Sequence, residues 1–486
     1  MSQTLDVLIV GAGLSGVGMA CHLKRRAPWA RFALLEARAS LGGTWDLFRY
    51  PGVRSDSDMF TLGYAFRPWT DAKAIADGPS ILAYVRETAR EYGVDREIVY
   101  ETKVVSAAWS STEAAWTVEA ERGGARVSYV ARAIAVCAGY YRYDRGHFPE
   151  FAGLASFAGR VVQPQFWPQD LDYAGKRVLV IGSGATAVTI VPEMAKTADV
   201  TMLQRSPTYM VARPSTDALA DKLRRRLPAR AAYALTRLRN VALNMWFYRL
   251  HRKYPEQSKK RLIELASAEL GGANLADFTP RYNPWDQRLC LVPDADFFHA
   301  VRDGRARVLT DEIETFAPEG VRLKSGRTLE ADFVVVATGL ELNLLGDVAF
   351  SVDGARVDFA QRRVYKGCMY EGVPNLVSVF GYTNSSWTLK ADLIAGYFCR
   401  LLNHLRSHKL AAATPPQADG EPLLPFMDLT SGYVSRALDK LPKQGAREPW
   451  RLYQNYAKDI RLMRFQRIDD GVLRFSRGAQ GRAAAE

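Results

Sequence analysis

The sequence predicts an α/β protein made of two doubly wound, Rossmann-like dinucleotide-binding domains, the second inserted in the first. Three observations carry this reading: two glycine-rich turns, each set between an apolar strand and a helical pattern, and a pair of further apolar strands where the chain would cross between domains. The first turn follows Asp6 to Val10, a short apolar strand that leads directly into Gly11-Ala-Gly13-Leu-Ser15-Gly16, after which Val17, Ala20 and Leu23 continue at helical spacing. In a GxGxxG turn the first glycine permits the tight bend, the second lets the backbone approach a pyrophosphate, and the third lets helix and strand pack closely. The helix start that contains Ser15 favours phosphate charge. Glu36 ends the next strand, Phe32 to Leu35, at the distance where a carboxylate accepts hydrogen bonds from a ribose diol.

The second turn repeats the pattern. Arg177 to Ile181 runs into Gly182-Ser183-Gly184-Ala-Thr186-Ala187, with Ala187 in place of the third glycine, and the following strand, Val200 to Leu203, ends at Gln204-Arg205-Ser206. No acid stands where the first unit has Glu36. Arg205 beside Ser206 suits a 2′-phosphate instead. The first unit is therefore predicted to bind FAD and the second NADPH. The crossing strands are Ala133 to Cys137 before Ala138-Gly139, and Asp332 to Val336 before Ala337-Thr338-Gly339. These assign residues 1–140 and 325–486 to the FAD domain and 141–324 to the NADPH domain, the latter with a basic helical insertion at 216–275.

Composition excludes several classes. At 486 residues, with 48% hydrophobic and 24% charged side chains, the chain is globular. Its five cysteines are scattered without a CxxC pair, which argues against a disulfide framework, a common zinc site and a dithiol redox centre. The six histidines have no ligand spacing, and no metal is predicted. Neither a signal-peptide pattern nor an apolar run long enough to span a bilayer is present, so a cytoplasmic location is expected. The net charge of +13 is concentrated between Thr216 and Arg261, where thirteen Lys and Arg face three acids. There Ala231, Leu235, Leu238, Ala242 and Met245 recur at helical intervals, with Arg230 and Arg237 off the stripe. Two readings follow for 216–261: peripheral contact with the inner face of an anionic membrane, or a stripe packed on the NADPH domain or a second copy beneath a solvated basic face. Nucleic acid is not a predicted partner, because base-stacking platforms and a recognised binding fold are absent. The sequence sets no oligomeric state.

FAD and NADPH in one chain without a dithiol leave dehydrogenation or oxygen activation. More specific motifs decide between them. Gly42-Gly43-Thr44-Trp45, Arg49-Tyr50-Pro51-Gly52-Val53-Arg54-Ser55-Asp56, and the segment from Phe157 and Gly159 through Gln163 to Trp167-Pro168 resemble the type I Baeyer–Villiger monooxygenases. The last is nearly their FxGxxxHxxxWP fingerprint, with Gln163 where the family has His. Tyr282 to Cys290, Gly381 to Asp392 and Pro442 to Gly445 resemble the ethionamide-activating subgroup most.

The resemblance implies that NADPH reduces FAD, that molecular oxygen forms a C4a-peroxyflavin, and that oxygen is inserted beside the carbonyl of a hydrophobic ketone to give an ester or lactone. Thioether sulfoxidation is implied as a companion activity. The alternatives are a sulfur or nitrogen monooxygenase of the flavin-containing type and an NADPH oxidase that releases peroxide. The matching positions make Arg288 the cation that holds developing negative charge and Asp56 the carboxylate that orients it, against a plain interdomain ion pair. Gly43, Thr44, Trp45 and Asp46 would lie beside the isoalloxazine, with packing the competing role for Trp45. Asn384 and Trp387 resemble a second flavin-side loop, Gly339 of the second crossing loop is a further cofactor-binding position, and Trp450 would cover the nicotinamide. Ser183, Thr186, Arg205 and Ser206 would contact NADPH phosphates. Gln163 reads as a hinge hydrogen-bonding residue, and Phe60, Phe66, Trp69 and Trp285 as apolar substrate neighbours.

Overall fold

The structure, a computed structural model, describes residues 4–272 and 275–478, so the extreme ends of the expected FAD-domain ranges fall outside it. The apolar strand β1 (Leu5–Val10) is followed by α1 (Leu14–Arg26) and β2 (Phe32–Leu35), and β1 lies between β2 and β6 (Ala125–Val136), parallel to both. A continuous apolar run suits this position, since a parallel strand is covered on both faces. Between β2 and β6 come β3 (Ile98–Val99), β4 (Thr102–Ser110) and β5 (Ala115–Arg122), the last two paired antiparallel. A four-residue helix, α2 (Met59–Leu62), sits in the long segment between β2 and β3, with Asp58 capping it through the Thr61 N–H.

The chain then builds a second parallel sheet from β7 (Arg160–Val162), β8 (Arg177–Ile181), β9 (Asp199–Gln204), β10 (Ala306–Thr310) and β11 (Phe333–Val336), in the order β10-β9-β8-β11-β7. The helix α3 (Ala185–Met194) follows β8 as α1 follows β1. Three strands then return to the first sheet: β12 (Ala349–Val352), β13 (Ala355–Arg356) and β14 (Leu376–Ser378), giving the order β13-β12-β4-β5-β6-β1-β2-β3 with β14 on β6. One sheet is thus inserted in the other, as expected. The boundary differs: β11 pairs with β7 and β8, so the inserted unit extends through Val336 rather than ending at 324. Three antiparallel strands between Ile313 and Glu330 belong to the same unit.

The insertion folds as α4 (Ala218–Arg226), α5 (Ala229–Lys253) and α6 (Pro255–Leu270). Of the two readings of this segment, packing of the stripe on the inserted unit is not what the structure has. On α5 the buried side chains are Ala232, Tyr233, Thr236, Arg237, Asn240 and Val241, while Leu235 and Leu238 of the apolar stripe are exposed, Leu238 to 67%. The partner of the buried face is the FAD domain. Arg237 donates to the carbonyls of Phe60 (2.8 Å), Thr61 (3.2 Å) and Gly63 (2.8 Å) at the end of α2. Tyr233 donates to the Tyr64 carbonyl and Asn240 to Asp58. The orphan carbonyls at a helix end demand donors and favour a cation, and this requirement outweighs the burial of two leucines. The helix α7 (Trp387–Ser407) covers the first sheet beside α1, and its Asp392 meets Arg237 at 3.4 Å and His22 of α1 at 3.2 Å.

Candidate active site

Both glycine-rich turns open on one cavity of about 1250 Å³, at the C-terminal ends of β1 and β8. Ligands of open α/β sheets bind in this crevice. Gly11 at φ +97° and Gly182 at φ +133° mark the two bends, and a Cβ on Gly11 would stand 2.8 Å from the Cys137 carbonyl oxygen while one on Gly182 would collide with that of Ala337. Each turn is therefore packed against the crossing loop that follows its neighbouring strand.

The first turn fits an FAD adenosine diphosphate. Gly11, Gly13, Ser15, Glu36 and Gly43 all line the cavity. Glu36 accepts from the Ala12 N–H at 2.7 Å and the Arg38 N–H at 2.9 Å. Burial pushes its carboxyl above the ordinary value despite these donors, so a ribose diol donating to it would favour its charged form. Thr44, Trp45 and Trp387 also face the cavity. Trp387 Nε1 donates to Ser15 Oγ at 2.8 Å, and its ring stacks on Tyr140 with centroids 4.8 Å apart, which fixes the indole against the first turn.

The second turn supplies Gly182, Ser183, Gly184, Thr186, Arg205, Ser206 and Gly339 to the same cavity. Ser183 Oγ donates to the Ser206 carbonyl at 2.9 Å and ties the turn to the strand end that carries Arg205. Among the described residues neither Arg205 nor Arg436, which also lines the cavity, has a hydrogen-bonded or ion-paired side-chain partner. Burial and the nearby Arg205 charge push the Arg436 guanidinium below its ordinary value. Glu312 and Glu341 lie near these two cations without pairing to either, and two converging guanidinium groups left unpaired suit a phosphate.

Between the two turns Arg288 Nη2 meets Asp56 Oδ2 at 2.9 Å, with about a third of each side chain open to the cavity. Asp56 belongs to the FAD domain and Arg288 to the inserted unit. The Asp56 carboxylate outweighs burial and raises the Arg288 guanidinium further, so its charge is permanent. Tyr140, Tyr141, Tyr143 and Tyr433 also face this space. Burial pushes the phenols of Tyr140 and Tyr143 up to about 12, which keeps both as donors at neutral pH, and Tyr143 Oη lies 3.2 Å from Thr44 Oγ1.

Several expected residues lie elsewhere. Asp46 is 1% exposed beneath the flavin-side turn, paired with Arg38 at 2.8 Å and Arg86 at 3.0 Å. Asn384 does not face the cavity; it donates to the Gln454 carbonyl at 2.9 Å. Trp450 is buried edge-on against Tyr365 in the core and covers nothing in the cavity. Gly16 and Ala187 pack the helices on their turns without facing it, as their role in the motif requires. Phe60 and Trp69 are core residues, Phe66 stacks on Tyr64, and Trp285 packs on Tyr248, so none of the four lines the cavity. Apolar side chains resemble one another in sequence wherever they end up.

The fingerprint segment runs along the edge of the second sheet. Phe157 packs on Phe316, a Cβ on Gly159 would meet the Asp332 carbonyl at 2.5 Å, and Trp167 packs on Tyr173 before Pro168. Gln163 does not line the cavity; its Nε2 lies near Gly146 in the crossing segment. The tyrosine cluster and Arg436 escaped sequence reasoning. Tyr140 and Tyr141 directly follow the crossing loop Ala138-Gly139, a position that could have singled them out, whereas nothing local marks Tyr433 or Arg436.

The flavin-binding monooxygenase-like family matches residues 70–254, and an NAD(P)-binding Rossmann-like domain matches residues 9–75. The FAD-containing monooxygenase EthA of Mycobacterium tuberculosis is 51% identical over 483 residues, covering 98% of this chain and 99% of that protein. A steroid monooxygenase solved with NADP superimposes with a TM-score of 0.77 at 21% identity, over 98% of this chain and 100% of that one. The structure of OTEMO with FAD and NADP gives a TM-score of 0.71, also at 21% identity, over 86% of this chain and 89% of that one.

Proposed function

The chain belongs to the FAD-containing monooxygenases, and from that premise we propose that it uses FAD and NADPH to insert oxygen beside the carbonyl of a hydrophobic ketone, forming an ester or lactone, and to sulfoxidise thioethers. The observation that carries this reading is the Arg288–Asp56 pair at 2.9 Å, set in one cavity with both glycine-rich turns. The first turn would hold FAD and the second NADPH, which together would supply the activated oxygen. The protein's own part is electrostatic and steric. Arg288 presents a permanent cation where negative charge develops on the substrate oxygen, and Asp56 fixes the guanidinium while part of it stays open to the cavity. The Tyr140–Trp387 stack walls the flavin side and excludes water. Arg205 and Ser206 would hold the 2′-phosphate, and Glu36 would hold the flavin adenosine ribose.

The test is a product balance with purified, FAD-loaded enzyme, NADPH, a medium-chain aliphatic ketone and an aryl thioether. Ester in proportion to NADPH consumed is the expected result. Sulfoxide without ester would restrict the reading to heteroatom oxygenation, and peroxide alone with both substrates would overturn it.

A further inference from the structure

The seating of α5 leaves an apolar face with no partner among the described residues. Leu235, Leu238, Ala242 and Trp246 recur along it at intervals of three and four, Leu243 and Phe247 widen it, and Trp246 is 55% exposed. Most of the molecule's other large apolar side chains are buried, so the concentration of exposed ones on α5 and its neighbours is local. Contiguous apolar surface of this kind on a globular protein marks an interaction site. Its borders are cationic: Arg225, Arg226 and Arg230 are exposed at one end, and Arg249 and Lys253 at the other.

We propose that this face docks on an anionic lipid bilayer, with α5 lying in the plane of the headgroups. The charge pattern selects this occupant over a second copy. The segment from Thr216 to Arg261 has thirteen basic residues against three acidic ones, and a two-fold interface would set that surplus against itself. An anionic surface neutralises it, while Leu235 and Leu238 reach the acyl boundary and Trp246 sits at headgroup depth, where indoles are favoured. Binding would be peripheral: among the described residues no helix is long and apolar enough to cross a membrane.

The C-terminal half of α5 also contacts the loop that carries Arg288. Tyr248 of α5 packs on Trp285 with centroids 5.2 Å apart, Trp285 Nε1 donates to His251 at 3.0 Å, and Arg252 pairs with Asp286 at 2.9 Å, all within three residues of Arg288. A substrate dissolved in the bilayer would thus meet the protein beside the loop that carries Arg288. This last point depends on the function proposed above; the docking itself does not.

The experiment is co-sedimentation of the FAD-loaded enzyme with vesicles of phosphatidylglycerol and phosphatidylcholine, or of phosphatidylcholine alone, run beside sedimentation velocity without lipid. Binding is expected only to the anionic vesicles at low salt, and it should weaken at least about tenfold in Leu238→Asp/Trp246→Asp and in Arg225→Gln/Arg226→Gln/Arg230→Gln. High salt should release it. These side chains are exposed, so the variants should keep the wild-type flavin spectrum. No sedimentation with anionic vesicles at low salt, equal binding to neutral ones, or binding that neither variant weakens would overturn the proposal. A dimer broken by Leu238→Asp, without vesicle binding, would assign the face to a second copy.

Discussion

The choice between NADPH and NADH falls on Arg205. It stands at the strand end that holds an acid in the first unit, it lines the cavity, and among the described residues it has no side-chain partner. Arg205→Ala should reduce the preference for NADPH over NADH by about tenfold to a hundredfold in kcat/KM, the range set by losing charge-assisted hydrogen bonds to a phosphate. An unchanged preference would leave the 2′-phosphate to Arg436. Gln163 makes the opposite prediction. It lies outside the cavity, near Gly146, so Gln163→His should leave the ratio of oxygenated product to NADPH consumed within about twofold of wild type, since imidazole offers the same neutral donor and acceptor there. A switch between oxygenation and peroxide release would contradict the hinge role. At this scale the sequence exposed the residues whose backbone is under constraint, Gly11 and Gly182 above all, because few side chains tolerate such bends. It could not separate Trp387, which faces the cavity, from Trp450, which fills the core, since both offer the same apolar ring.

The helix α5 carries the opposite lesson. Its periodicity identified a helix and its stripe, yet the stripe faces outward, because the carbonyls of Phe60, Thr61 and Gly63 are met by the Arg237 guanidinium and no local pattern announces that long-range demand. Removing the donor should be costly. Arg237→Leu would leave three carbonyls without their donor and take from Asp392 one of its partners, and an unfolding free energy lower by about 3 kcal/mol is expected from denaturant titration; a loss under about 1 kcal/mol would mean that water replaces the arginine. The same cluster sets an acid limit. Burial raises the Asp392 carboxyl, but His22, Arg237 and the Ala65 N–H outweigh it and hold it below the ordinary value. A carboxylate lowered by folding contributes stability above its unfolded value, near 4, and loses it as pH falls through the folded value. Asp392→Asn should therefore flatten the loss of stability below about pH 4. An acid limb as steep as that of wild type would move the acid sensitivity to other carboxylates.

For the whole molecule the decisive feature is docking of the two units. Arg54 pairs with Asp296, and Gly52 lies so close to the Thr189 carbonyl of α3 that an added Cβ would approach it to 3.0 Å. The segment from Arg49 to Asp56 thus seats the FAD domain on the inserted one and delivers Asp56 to Arg288. The inserted arrangement was legible because both crossings carry apolar strands ending in Gly-containing loops. The exact boundary was not, since membership of β11 in the second sheet is fixed by pairing with β7 and β8, far away in sequence. On the function proposed, this interdomain pair serves oxygen transfer and is not merely a strut. The most direct measurement is the amount of oxygenated product formed per NADPH consumed by Arg288→Ala, with the rate of flavin reduction recorded in the same preparation. Flavin reduction within a few-fold of wild type, with product lowered by about a hundredfold or more and peroxide in its place, is the predicted result. Product formed at an undiminished rate with normal flavin reduction would contradict the claim and leave Arg288 and Asp56 a structural ion pair.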